Sequence, residues 1–356
     1  MAKVGPGILD GPYTPRVCIT ITGRRMSSDL TSVPKPLKED TLGWPWELPD
    51  NSPLALERYP KISIALPTYG HGDYIEETIR SILLQGYPNL EFIVMDGGSE
   101  DRTVDILKHY DDNIAYWESA KDKGQSDAIN KALKRCTGDI ITFQNSDDIY
   151  LPGTFHEVAK LYLQKPDAGV IAGGFYFFDA DSNRLDSDVP AKLDAVSPVD
   201  LSLGPEGIYR IHQAATFFTR AALDDVGRYV REDLNYTMDR ELLYRVLRKY
   251  PAVLSDRTFA AFRKHPGSKS TNSVRPFAAE FSKLHLEFLN GNPAEDAQRR
   301  RMAKYRLYRG EIQFAKLSDS FGAKLGGLFG AVHFQPGAIF RKSYLWLWYK
   351  LLTGRL

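Results

Sequence analysis

Cysteine is nearly missing from this chain: Cys18 and Cys136 are the only two in 356 residues, and they lie far apart. That excludes a disulfide scaffold and a cysteine-based zinc site, and it fits a reducing cytoplasm. Nowhere is there an unbroken apolar run of the roughly 18 residues that a membrane-spanning helix needs. The N-terminus lacks the basic stretch and apolar core of a secretory signal. An excess of charge of either sign is also absent, with 46 Lys and Arg against 45 Asp and Glu, so the total charge leaves no footprint for nucleic acid. Internal repeats of the solenoid kind are not seen. What is present is 43% hydrophobic and 12% aromatic side chains, enough for one large core or two modest ones.

Residues 1–60 are rich in Pro, Gly and Ser and hold no sustained period. They read either as an extended arm that wraps the core through Trp44 and Trp46 or as a disordered tail. At Lys61 the pattern changes. "KISIALPTYG" is a short β-rich run, and "DYIEETIRSILLQG" then sets Ile75, Ile79, Ile82 and Leu83 at helical spacing, with Asp73 as the expected N-cap. "LEFIVMDGGS", "EDRTVDILKHY", "NIAYWES", "GQSDAINKALKRCTG" and "DIITFQNSDD" continue the alternation. This order predicts an α/β fold with a mainly parallel, doubly wound sheet and helices on both faces.

In such sheets ligands bind beyond the carboxyl ends of the strands, and the unusual residues sit there. Pro67, Thr68 and Tyr69 follow the first strand, Asp96 the second, and Asn145, Ser146, Asp147 and Asp148 the fourth. "DGGS" and "NSDD" are both good turn chemistry. Against that, an apolar strand that runs straight into two adjacent acids suits a cation or a donor-rich partner, with Asp147 the better ligand. Lys121 and Lys123 precede a helix N-terminus, where lysine can neutralise phosphate, although such a loop is commonly just wet surface. In "YTMDRELLYR", Asp239 and Glu241 lie two apart at a helix start and must point in different directions. An acid there serves the helix dipole or acts as a general base toward a hydroxyl.

Taken in order, these motifs resemble the family 2 glycosyltransferases of the GT-A fold. The resemblance runs from about Lys61 to Ser270 and rests on "ALPTYGHGDYIEETIRSILLQGYPNLEFIVMDGGSEDRT", "DKGQSDAINKAL", "NSDD" and "MDRELLYR". It implies that Pro67, Thr68, Tyr69 and Asp96 hold a nucleotide, usually uridine diphosphate, with Lys123 beside the phosphates. The family's Asp-x-Asp metal triplet falls on Asn145, Ser146 and Asp147, so its first acid is here an amide. Asp147 would then be the principal protein ligand to Mg²⁺ or Mn²⁺, joined by His265 of "FRKHPGSKS". Asp239 would be the catalytic base of an inverting transfer from a nucleotide-diphosphate sugar to a saccharide or lipid-linked saccharide acceptor. Gly70 departs from the Asn that is frequent in the family.

Two other readings stand beside this one. A nucleotidylyltransferase would want a Gly-rich triphosphate loop after the first strand, of which "PTYGHGD" is a poor version. A non-catalytic sugar-nucleotide binder has only the missing first acid in its favour. A Rossmann dehydrogenase is disfavoured because no G-x-G-x-x-G follows the first strand. The expected organisation is an arm over 1–60, a catalytic domain over 61–270 (nucleotide half 61–150, acceptor half 151–270) and a helical extension over 271–356. That extension is basic at "AQRRRMAKYRLYRG" and interrupted-apolar beyond it. It reads either as a packed helix or as a peripheral contact with the cytoplasmic face of a membrane.

Overall fold

The computed structural model describes residues 18–21, 30–38, 41–48, 55–193, 209–269, 273–289, 291–340 and 342–353. Much of the N-terminal arm and part of the irregular 180–206 stretch lie outside these. Strands β1 (Cys18–Ile21), β2 (Ile62–Thr68), β3 (Leu90–Asp96), β4 (Tyr116–Ser119), β5 (Ile140–Phe143), β6 (Ile149–Tyr150) and β7 (Val170–Phe178) are followed by a small separate pair, β8 (Lys192–Leu193) and β9 (Tyr209–Arg210). Strands β10 (Thr216–Thr219) and β11 (Ala252–Arg263) complete a nine-stranded main sheet in the order β1-β4-β3-β2-β5-β10-β7-β11-β6. Its centre, β4-β3-β2-β5, is parallel, as is β7 with β11. β10 runs antiparallel to both β5 and β7, and β6 antiparallel to β11.

β2 is buried along its whole length because both sheet faces are covered. Ile62, Ile64 and Leu66 meet α1 (Ile75–Leu83), α2 (Thr103–His109) and α4 (Thr154–Gln164) through Ile75, Ile79, Ile106, Phe155 and Val158. Ala65 faces the opposite core, formed by α3 (Gln125–Arg135), α5 (Arg220–Val226) and α6 (Met238–Leu247) through Ile129, Leu133, Leu223, Leu242 and Val246. The expected cap on α1 is corrected. Tyr74 holds the cap position without a side-chain bond, the N–H groups of Tyr74 and Ile75 donate to the His71 carbonyl, and Asp73 is turned to solvent beside Arg102.

The strand order reverses at β2: the chain moves outward through β3 and β4, then returns to place β5 on β2's other side. Pairing of β2 with β5 ends at Ala65–Phe143, whereas pairing with β3 continues to Thr68–Asp96. The Ile62 N–H donates toward β3, so by alternation Pro67 turns its nitrogen toward the side where β5 has already parted. A proline there costs no ladder bond, and the parted strands open a crevice at their carboxyl ends.

From the arm, Trp44 donates its indole N–H to the Tyr150 carbonyl at 2.7 Å. The carbonyls of Pro34, Pro45 and Trp46 accept from the buried Arg80 guanidinium. After β11 come α7 (Val274–Glu287), α8 (Pro293–Leu317), α9 (Phe321–Phe334) and α10 (Lys342–Leu352), the last three around their own core of Tyr308, Ile312, Leu328, Tyr344 and Leu347. Helices α7 and α8 touch where Gly310 meets Ala278; a Cβ at Gly310 would lie 2.4 Å from the Ala278 methyl.

Candidate active site

The parted ends of β2 and β5 bring together residues distant in sequence. Asp147 and Asp148, adjacent in the turn after β5, have opposite fates. Asp148 is fully buried. Its Oδ1 accepts from the Arg263 backbone N–H at 2.9 Å and its Oδ2 from Asn145 at 3.2 Å, and burial together with the Asp147 charge pushes its pKa well up. Asp147 instead turns Oδ2 to His265 Nε2 at 3.0 Å. From the loop after β2, His71 reaches the same place, its Nδ1 2.6 Å from Ser146 Oγ. The candidate ligand atoms of His71, Asp147 and His265 all lie within 4.8 Å of one another. Burial lowers the His71 pKa and so favours the neutral ring that a metal requires.

Sequence reasoning had Asp147 and His265 but missed His71. The signal available was position alone: a histidine just past the first strand, at the carboxyl end of a doubly wound sheet. Gly70 before it has φ +65°. Glycine adopts that left-handed conformation freely and asparagine tolerates it, so the departure from Asn keeps the turn.

Asn145 is held by three partners. Its Oδ1 accepts from Gln125 Nε2 at 2.9 Å, and its Nδ2 donates to Asp148 and to Gln213 Oε1. Lys269 Nζ in turn donates to Gln125 Oε1 at 2.9 Å. The amide therefore serves as a bracket that links the turn to α3, to the Gln213–Ala215 segment and to a cation four residues past His265. By contrast Lys123 is exposed, with its own N–H on Asp127 Oδ2 at 3.2 Å. Lys269, which the sequence motifs did not single out, is thus tied to the Asp147 turn through Gln125 and Asn145.

Asp96 is buried at the end of β3. Its Oδ2 accepts from the N–H groups of Gly98 and Ser99 and from Ser119 Oγ, and its Oδ1 from Ser99 Oγ. Ser99 Oγ also accepts from the Gly70 N–H at 2.8 Å, so this turn and the His71 loop are one unit. Thr68 Oγ1 is buried with no hydrogen-bond partner among the described residues, and Tyr69 beside it is exposed. Thr68 thus offers an unanswered polar atom and Tyr69 an exposed ring, while Pro67 is buried within β2.

Asp239 lies in the first turn of α6 and borders a small cavity of about 10 Å³ shared with Phe143, Gln213 and Thr142. Its side chain is 23% exposed, and desolvation raises its pKa despite Arg240 at 3.7 Å. Gln213 connects this cavity to the Asp147 turn, since its Nε2 donates to the Phe143 carbonyl and its Oε1 accepts from Asn145. Glu241 points elsewhere, as expected, into an ion pair with Arg245 at 2.8 Å.

Known proteins share parts of this sequence and this fold. Residues 63–227 match the family described as "Glycosyl transferase family 2". An uncharacterized glycosyltransferase of Rickettsia typhi is 28% identical over 231 residues, 65% of this chain and 72% of that protein. Staphylococcus aureus TarS 1–349, solved with UDP-GlcNAc, superposes with a TM-score of 0.55 at 19% identity, covering 77% of this chain and 80% of that one. The mannosyltransferase PcManGT of Pyrobaculum calidifontis, solved with GDP-Man and Mn²⁺, gives 0.53 at 16% identity, covering 84% and 88%. A glycosyltransferase enzyme is therefore what the motifs and the relatives have in common, the sheet is that of the GT-A fold, and residues 63–227 are the part of the chain that matches family 2.

Proposed function

We propose that the enzyme moves a sugar from a UDP-sugar to a hydroxyl of a saccharide or lipid-linked saccharide, with inversion at the anomeric carbon. The observation that carries this reading is the convergence of Asp147, His265 and His71 at the parted ends of β2 and β5, with Asp239 tied to the same turn through Gln213. One carboxylate and two imidazoles are a fitting donor set for Mn²⁺, and less so for Mg²⁺, which prefers oxygen. A divalent cation bound there would offset the charge of the departing diphosphate.

The chain's own residues do the rest. Pro67, Thr68, Tyr69 and Asp96 flank the uridine, and Lys123 and Lys269 face the phosphates. Asn145 and Ser146 hold the turn that carries Asp147. Asp239 accepts the proton of the acceptor hydroxyl as its oxygen bonds to the anomeric carbon. The bond to the diphosphate oxygen breaks in the same step, so UDP leaves with the electron pair and the proton stays on Asp239. A lipid-linked acceptor would bring the enzyme to a membrane surface as a peripheral protein. The deciding experiment is calorimetric titration with UDP, with and without Mn²⁺, on the wild type and Asp147→Ala. Binding that requires both the cation and Asp147 supports the reading. UDP binding unchanged in Asp147→Ala, or no binding of any nucleoside diphosphate, overturns it.

A further inference from the structure

Away from the active site, the C-terminal helices carry a surface that nothing in the transfer reaction uses. Helix α10 is apolar on two sides. Tyr344, Leu347 and Leu351 are buried in the local core, while Leu345, Trp346, Tyr349 and Leu352, spaced i, i+1, i+4 and i+7, are all more than half exposed. An amphipathic helix needs one apolar stripe, and a second one seeks a second apolar phase. The neighbouring turn adds Phe340, 83% exposed, and α9 adds Phe321 and Phe329.

Beside this face is a cleft of about 560 Å³ between α8 and the α9–α10 corner. Arg300, Arg301 and Lys304 line it from one side of α8, Phe334 and Ala338 from the corner, and no acidic residue contributes to it. All three cations are exposed. Asp319 is the single acid between Leu317 and Leu356, against Lys324, Arg341, Lys342, Lys350 and Arg355. Lys350 folds its ammonium over the Trp346 ring at 3.9 Å, a cation set at the level of an exposed indole. Aromatic rings flanked by cations and nearly free of acids match the interface of an anionic bilayer, where rings sit at headgroup depth and lysine and arginine meet the phosphates.

We propose that the α9–α10 face inserts shallowly into an anionic lipid bilayer and that Arg300, Arg301 and Lys304 receive a lipid phosphate in the adjoining cleft. The occupant is a bilayer and not a second copy of this chain, because a positively charged face presented to itself repels. The proposal gives residues and lipid chemistry to the membrane contact named above, yet it stands on this surface alone. Its test uses neither donor nor acceptor, so it can fail without touching the assignment of sugar transfer.

The test is flotation of the full chain with vesicles of phosphatidylcholine alone or mixed with phosphatidylglycerol. Binding should need the anionic lipid and weaken as salt rises. Replacing Arg300, Arg301 and Lys304 together by Gln should cut partitioning about a hundredfold, roughly fivefold for each cation near the surface. Phe340→Ser with Trp346→Ser should weaken it independently, and thermal unfolding of each variant checks that the fold is kept. Equal binding to neutral vesicles, undiminished binding by the triple variant, or no flotation with either lipid overturns the proposal. So does self-association without lipid that Phe340→Ser abolishes.

Discussion

At the residue scale the adjacent acids after β5 show how one turn divides its labour. Asp148 is spent on structure, clasped by Arg263, while Asp147 is left facing two histidines. Arg263 is itself 1% exposed. Beyond its backbone contact with Asp148, it pairs with Glu77 at 2.5 Å and donates to the carbonyls of Asp147, Asp179 and Ala180. Removing one partner of a buried pair strands the other charge, so Arg263→Met should cost about 3–5 kcal/mol, read from the denaturant midpoint. Asp239→Asn should behave oppositely. Burial raises its pKa, so the ionised form is disfavoured in the fold and its neutral replacement should leave stability unchanged or slightly higher. As the proposed base, Asp239 works only when deprotonated, so activity should fall as pH drops through a midpoint above the ordinary carboxylate value. In Asp239→Asn the rate should fall about 10²–10⁴-fold and this acid limb should vanish, measured as kcat/KM against pH. A variant with near-native rates would remove Asp239 from the mechanism. Asp147 could be named from the chain because an apolar strand runs straight into two adjacent acids and the family's metal triplet falls there. His71 could not, since its meeting with Asp147 depends on which strand lies beside β2, and no local pattern encodes that.

At the element scale the alternation of strand and helix from Lys61 to Phe143 was legible because each segment is short, apolar and closed by turn residues. The antiparallel insertion of β10 was not. "ATFFT" is as apolar as any parallel strand, and its direction is set by long-range pairing with Ile141 and Ile171. The cap of α1 escaped notice for a related reason: a backbone carbonyl performs a task that sequence assigns to a side chain. Close approaches between elements are likewise silent until glycine is seen in place. A Cβ at Gly173 of β7 would lie 2.3 Å from the ring of Phe259 in the neighbouring β11. Gly173→Ala should therefore destabilise by about 1–3 kcal/mol through overpacking, checked by urea unfolding. Gly310→Val should do the same at the α7–α8 contact. A neutral result at either position would mean that the neighbouring element yields.

On the scale of the whole molecule, acid is a weak point. His212 and His285 are held neutral by burial, their pKa values pushed down to about 3. The unfolded chain protonates each near 6.5 while the fold does not, so their stabilising effect is complete above 6.5 and is lost as pH falls toward 3. Each contributes a slope of about 1.4 kcal/mol per pH unit in that window. His285 leaves Nε2 without a partner among the described residues and packs on Phe281. His285→Phe should therefore be more stable than wild type at pH 5 and show a shallower loss between pH 6.5 and 4. Equal slopes would mean that this ring is charged in the fold.

The candidate metal ligands also set a clock on synthesis. Asp147 and His265 are 118 residues apart in the chain, an interval that a ribosome crosses in about 6 to 24 seconds at typical elongation rates. Throughout that time the first half of the sheet has been made, with Asp148 waiting for Arg263 and Asp147 for His265. If these side chains hold a metal as proposed, the nascent chain cannot complete the site until β11 has arrived, so closing the sheet and assembling the ligands come due within a few residues of each other.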